Sequence, residues 1–130
     1  MMPRRRFAFV TVLLAAGALP AAAQETPDFR GAPFTMQGGE AVYRGVCQGC
    51  HMADARGATG AGSYPALASN SRLADAGYVL TMIMNGHNGM PPFRGHFTNQ
   101  QIADVVNYVR SHFGNRYKGE VRPADVQALR

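Results

Sequence analysis

The stretch Cys47-Gln48-Gly49-Cys50-His51 decides how the rest of the chain is read. It holds both cysteines of the 130-residue sequence, with an imidazole directly after the second. Three positions span close to one helical turn, so both thiols fall over one edge of whatever the segment faces. Four readings compete. A thiol–disulfide oxidoreductase places C-x-x-C after a strand, where it opens a helix. Here the motif closes an expected helix, and no βαβ pattern surrounds it. A structural zinc site needs a second ligand pair at knuckle spacing, and there is no further cysteine. A plain disulfide suits an exported protein. The fourth reading uses both thiols and the imidazole: C-x-x-C-H is the attachment signature of a c-type haem. The thiols add to two vinyl groups, and the imidazole of His51 reaches the iron from the proximal side.

Composition supports a folded chain with a shortage of core. Hydrophobic residues make up 46% and charged residues 16%, too apolar for a disordered chain. There is no tryptophan, and glycine and proline number 15 and 8. So small and loop-rich a domain needs something besides its own side chains to fill it. A covalent haem, large, flat and mostly apolar, would do so.

The net charge of +5 at first suggests an anionic partner. Its placement says otherwise. Arg4, Arg5 and Arg6 precede an apolar run from Phe7 to Leu19, followed by Pro20 and Ala21-Ala22-Ala23. This is the layout of a secretory signal peptide, expected over residues 1–23 and cleaved after Ala23. The run is too short to span a bilayer, so no stable membrane span is expected after cleavage. Without residues 1–23 the charge falls to +2, since three arginines and no acids leave. Lys118 is the single lysine, and no basic stripe interleaved with aromatics supports nucleic-acid binding. The expected compartment is the periplasm.

The remainder divides into an extended lead-in (24–35), a haem domain (36–114) and a C-terminal extension (115–130). A first helix is expected from about Met36 to Cys50, with Gly39, Val42, Tyr43 and Val46 on one face. Residues 57–69 read as a loop. A second helix runs from about Leu73 to Asn85, with Ala76, Val79, Met82 and Ile83 as its apolar face, and Gly86 stops it. Thr98 and Gln101 have capping-box spacing, opening a helix with Ile102, Val105, Val106, Val109 and Phe113 in one stripe, ended by Gly114. A last short helix starts near Pro123. No strand-like alternation is visible. The fold class is all-α, with three to five short helices around one haem.

A second axial ligand is sought among the five methionines after Ala23. Met82 fits the core face of its helix, Met84 lies off that face, and Met36 and Met52 sit near the attachment helix. Met90 differs. It lies between two helices in Gly86-His87-Asn88-Gly89-Met90-Pro91-Pro92-Phe93, where prolines stiffen the loop and Gly89 permits close approach. His87 is the alternative ligand, and His96 and His112 are weaker ones. Displacement of Met90 would open the iron to peroxide or a gas, but no distal acid–base pair is evident.

Together, the haem motif, Tyr64-Pro65-Ala66-Leu67, Gly89-Met90-Pro91-Pro92-Phe93 and the helix from Thr98 to Phe113 resemble a class I cytochrome c of the bacterial monohaem type. The likeness covers roughly residues 39–114. The resemblance implies one covalent haem c, with Cys47 and Cys50 as attachment points and His51 and Met90 as iron ligands. It also implies that the Pro65 carbonyl accepts a hydrogen bond from His51 and that Leu67 packs against the haem. Gly39, Tyr43 and Tyr108 match the close crossing of the first and last helices. The tail from Val121 to Arg130 is similar to that of cytochrome subunits of periplasmic dehydrogenases. The implied function is an electron carrier rather than an enzyme, taking electrons from a periplasmic dehydrogenase towards a terminal oxidase or another cytochrome of the respiratory chain. The family's lysine-rich haem edge is missing, so a small, mainly apolar docking patch is expected.

Overall fold

The computed structural model describes residues 34–60 and 62–130. The expected signal peptide (1–23) and positions 24–33 of the lead-in lie outside the described residues. Helical residues run unbroken from Gly39 to His51, as α1 (Gly39–Val42), a π-helical turn (Tyr43–Cys47) and α2 (Gln48–His51). A 3₁₀ turn (Ser71–Ala74), α3 (Ala76–Asn85), α4 (Asn99–Ser111) and α5 (Pro123–Gln127) follow. The loop after the haem motif contains one small antiparallel ladder, β1 (Ala58–Thr59) with β2 (Ser63–Tyr64), pairing Ala58 with Tyr64 and Thr59 with Ser63. Two residues per strand are too few to show alternation in sequence, which is why this ladder goes unseen there.

The first helix starts three residues later than expected. Gly38 has φ +81°, which L side chains rarely adopt, so helical geometry begins at Gly39. The π turn then opens the helix by one residue per hydrogen bond. Val42 and Tyr43 are buried, while Val46, Cys47, Cys50 and His51 face a cavity. Against α4, Gly39 permits a close crossing. A Cβ there would lie 2.2 Å from the Asp104 carbonyl oxygen and 2.5 Å from Tyr108 Cβ.

Helix α4 has the capping box that its sequence announces. Thr98 Oγ1 accepts from Gln101 N (3.2 Å), and Gln101 Oε1 accepts from Thr98 N (2.9 Å). The Gln101 amide also donates to the Phe34 and Met36 carbonyls at 2.6 and 2.9 Å, tying the segment before α1 to α4. The helix ends at Ser111, before the expected Gly114, because Phe113 (φ +58°) and Gly114 (φ +82°) are both left-handed. That reversal turns Phe113 back beside Tyr43 (ring centroids 4.8 Å apart) and edge-on to Tyr108 (5.5 Å).

On α3 the structure corrects the apolar assignment. Asp75 caps the helix by accepting from Gly77 N and Tyr78 N, and Val79, Leu80, Ile83 and Met84 are its buried residues. Met84 is therefore core, and Met82, expected there, lines the cavity instead. Helix α3 is apolar towards both the core and the cavity, and periodicity alone does not distinguish two apolar neighbours.

Residues 115–130 pack back on the body. The Asn107 amide donates to Val121 O (2.8 Å) and accepts from Val121 N (2.9 Å). Val121 and Val126 are buried. Arg110, 4% exposed, donates to the carbonyls of Leu73, Ala74, Lys118 and Gly119. It thereby joins α4, the 3₁₀ turn and the extension.

Candidate functional site

Cys47, Cys50, His51, Pro65, Leu67 and Met90 lie on the wall of a single cavity of about 570 Å³. Sequence separation is no guide to this, since Cys47 and Met90 are 43 positions apart. Two elements supply the approach: the rod from Gly39 to His51 on one side, and the loop after α3 on the other. Val46, Leu73, Val79, Ile83, Phe93, Val105 and Val109 give the remaining wall its apolar character. Exposed residues of the lining, among them Cys50, Ser63, Tyr64, Arg72, His87 and Asn88, mark its mouth.

The proximal wall is fixed by hydrogen bonds. His51 is buried, and its Nδ1 lies 2.9 Å from the Pro65 carbonyl oxygen. A carbonyl only accepts, so Nδ1 carries the proton and Nε2 keeps its lone pair. Such a bond also orients the ring and makes the opposite nitrogen more basic. Tyr43 Oη donates to the Met52 carbonyl at 2.7 Å, holding the turn that leaves α2. Burial pushes the Tyr43 phenol up to about 12, so it is a donor throughout the neutral range.

Leu67 and its neighbours are held from behind by the segment after α4. Asn115, 2% exposed, donates to Leu67 O (2.8 Å) and Val109 O (2.7 Å) and accepts from Asn70 N (3.0 Å). Tyr117 Oη donates to Asn70 O at 3.1 Å, and Ser69 N donates to Phe113 O at 3.0 Å.

Cys47 and Cys50 are not joined to each other. Burial pushes the Cys47 thiol up to about 12. A redox-exchange thiol needs the opposite, a depressed pKa that supplies thiolate at neutral pH. That environment suits an apolar attachment point better than an exchanging nucleophile. Among the described residues, no group of three or more His, Cys, Asp or Glu is placed to hold a metal ion, so the zinc reading finds no support.

Across the cavity, Met90 is half-buried and packs on the core, while His87 is exposed. The two form a tight turn, His87 N to Met90 O (3.0 Å) and Met90 N to His87 O (2.9 Å). The backbone demand in this turn falls on Gly86 (φ +70°), where a Cβ would meet Met90 O at 2.4 Å, and on Asn88 (φ +51°). His112 faces solvent, its ring stacked on Tyr108. His96 is exposed and is not among the cavity-lining residues.

An apolar cavity of this size, with a C-x-x-C-H helix along one wall and a thioether on another, fits one haem. Fold and site together define a small c-type cytochrome domain. Residues 34–109 match the family described as cytochrome c oxidase, cbb3-type, subunit III, and the chain belongs to this cytochrome c family. It carries covalent haem c. The chain is 34% identical over 105 residues to the cytochrome c subunit of a quinone alcohol dehydrogenase from Gluconobacter oxydans (71% of this chain, 22% of that protein). It is 33% identical over 92 residues to a fructose dehydrogenase cytochrome subunit from Gluconobacter japonicus (59% of this chain, 19% of that protein). Cytochrome c6 of Diacronema lutheri is 32% identical over 80 residues, 58% of this chain and 94% of that protein. The chain thus spans about a fifth of the two dehydrogenase subunits and nearly all of the small cytochrome.

Sequence reasoning missed Arg110 and Asn115. Both are polar residues whose partners are main-chain carbonyls, and nothing in a linear pattern marks them. The signal available was indirect: an arginine on the flank of an apolar stripe, and an asparagine just beyond a helix-stopping glycine.

Proposed function

We propose that Cys47 and Cys50 hold haem c through two thioether bonds, that His51 and Met90 bind its iron, and that the protein shuttles single electrons in the periplasm. The observation that carries this reading is the meeting of all four residues in the lining of one cavity, with His51 already oriented by Pro65. Bound there, haem c supplies a one-electron ferric–ferrous couple. The chain's part would be to hold the His51 imidazole and the Met90 thioether in place in both oxidation states. The Pro65 carbonyl holds the His51 ring and its Nδ1 proton. A thioether opposite an imidazole favours the ferrous state and raises the potential above that of two imidazoles. The apolar wall from Val46 to Val109 excludes water and works in the same direction, because it disfavours the extra charge of the ferric form.

As donor we propose a dehydrogenase, since relatives include cytochrome subunits of alcohol, fructose and gluconate dehydrogenases. The acceptor would be another cytochrome or a terminal oxidase. Docking would depend little on charge. Arg72 is the one Arg, Lys, Asp or Glu among the described residues lining the cavity, and Arg44, Arg56 and Arg122 are paired with Glu40, Asp54 and Asp125. Residues 1–23 would direct export, and no described helix is long and apolar enough to cross a membrane.

The test is the intact mass of protein recovered from the periplasm, under denaturing conditions. One covalent haem on a chain beginning at or near Gln24 is expected. Haem carried by the Cys47→Ala, Cys50→Ala double variant would refute attachment at these thiols.

A further inference from the structure

Arg94 follows the Met90 loop by four positions, and Arg130 lies on the far side of α5. Their side chains interlock. The Arg94 guanidinium donates to Arg130 O (3.0 Å) and to Asn85 Oδ1 (2.9 Å) at the end of α3. The Arg130 guanidinium donates to Arg94 O (2.5 Å), to Phe97 O (2.8 Å) and to Asn99 Oδ1. Asn99 in turn donates to Gln127 Oε1 of α5 at 2.8 Å.

These bonds bind four things: the end of α3, the segment returning from Met90, the first residue of α4, and the helix of the C-terminal extension. That returning segment has other ties, among them the buried Phe97 ring, which packs on Phe34 with centroids 5.1 Å apart. Phe93 N donates to Ile83 O (2.9 Å), Arg94 N to Met84 O (3.3 Å), and the Phe93 and Phe97 rings stack at 5.0 Å. Pro91 and Pro92 have no N–H to contribute. Charge-assisted bonds are about twice as strong as neutral ones, so the two guanidiniums supply a large share of the loop's anchorage.

We propose that Arg94 and Arg130 form a clasp through which the C-terminal extension holds the Met90 loop shut. They are positioning residues, touching neither iron nor haem. With the clasp closed, the Met90 thioether stays in the cavity, and opening of the loop controls entry of external ligands. The inference rests on Met90 being the distal ligand.

The experiment uses the full haem-loaded protein in the ferric state. Imidazole is added, and its binding is followed by the loss of the far-red band of a methionine-to-iron bond. Arg94→Ala and Arg130→Ala are compared with wild type and with Arg56→Ala, which alters a surface pair elsewhere. The clasp variants should keep the band and bind imidazole about fivefold faster, the factor expected from losing one such bond at an exposed position. Arg56→Ala should match wild type. Rates for both clasp variants equal to wild type, with the band present, would overturn the clasp and leave the Met90 assignment standing. Absence of the band in wild type would overturn the Met90 assignment, and the clasp with it. Thermal unfolding of the same samples guards against global loosening: an acceleration matched by a fall in Tm of many degrees would count against a local clasp.

Discussion

The two sides of the haem cavity are built differently. The proximal side rests on bonds made by buried side chains: His51 to Pro65, Asn115 to Leu67, Val109 and Asn70, and Arg110 to four carbonyls. The distal side rests on a half-buried methionine in a proline-stiffened loop, closed mainly by exposed hydrogen bonds. A buried polar group that loses its partner bears the full desolvation cost, whereas an exposed one turns to water. The contrast teaches that attachment and ligand retention are separable. One wall sets whether the domain folds around its haem, and the other sets how firmly Met90, the proposed distal ligand, stays in place.

The largest break in this comparison comes from the attachment residues. Cys47→Ala with Cys50→Ala should leave a chain whose mass shows no covalent haem. With the principal core filler no longer tethered, cooperative unfolding should be lost or fall to a much lower temperature by circular dichroism.

Next in size is Asn115→Ala. It takes the side-chain partner from the buried Val109 carbonyl, the part-buried Leu67 carbonyl and the Asn70 N–H, and should cost about 3 kcal/mol in urea unfolding of the haem-loaded protein. Arg94→Ala, on the exposed side, should cost under about 1 kcal/mol in the same assay. Equal losses would erase the distinction between the two walls.

Gly39→Ala should cost about 2 kcal/mol, because its Cβ has no room against the Asp104 carbonyl and α1 must shift away from α4. An unchanged urea midpoint would mean that the crossing is looser than its geometry.

The last effect is alkaline. Burial raises Tyr43 from 10.0 to about 12 in the folded chain. The neutral phenol is favoured by folding, so its contribution is complete below pH 10 and is lost as pH rises towards 12. Tyr43→Phe should flatten that part of the stability–pH curve, at the cost of about 1 kcal/mol at neutral pH for the lost bond to Met52.

Much of this was legible in the sequence, for physical reasons. The helix from Thr98 announces itself because its cap and apolar stripe are local features, and both are present. The Cys47–His51 motif is legible because covalent chemistry fixes its spacing. Other features depend on what a residue meets across the fold. Met82 and Met84 exchanged roles because α3 has apolar neighbours on two sides. The π turn at Tyr43–Cys47 has no compositional mark. Arg110, Asn115 and the Arg94–Arg130 clasp bind main-chain oxygens that only the folded chain brings near.

The most direct test of the account is a spectroelectrochemical titration of the haem-loaded protein that follows the far-red ferric band alongside the reduced spectrum. The account predicts a single one-electron wave, with the band present throughout the ferric form, lost in Met90→Ala and kept in Met82→Ala and His87→Ala. A ferric form without the band, or a Met90→Ala protein that retains it, would contradict the His51–Met90 electron carrier described above.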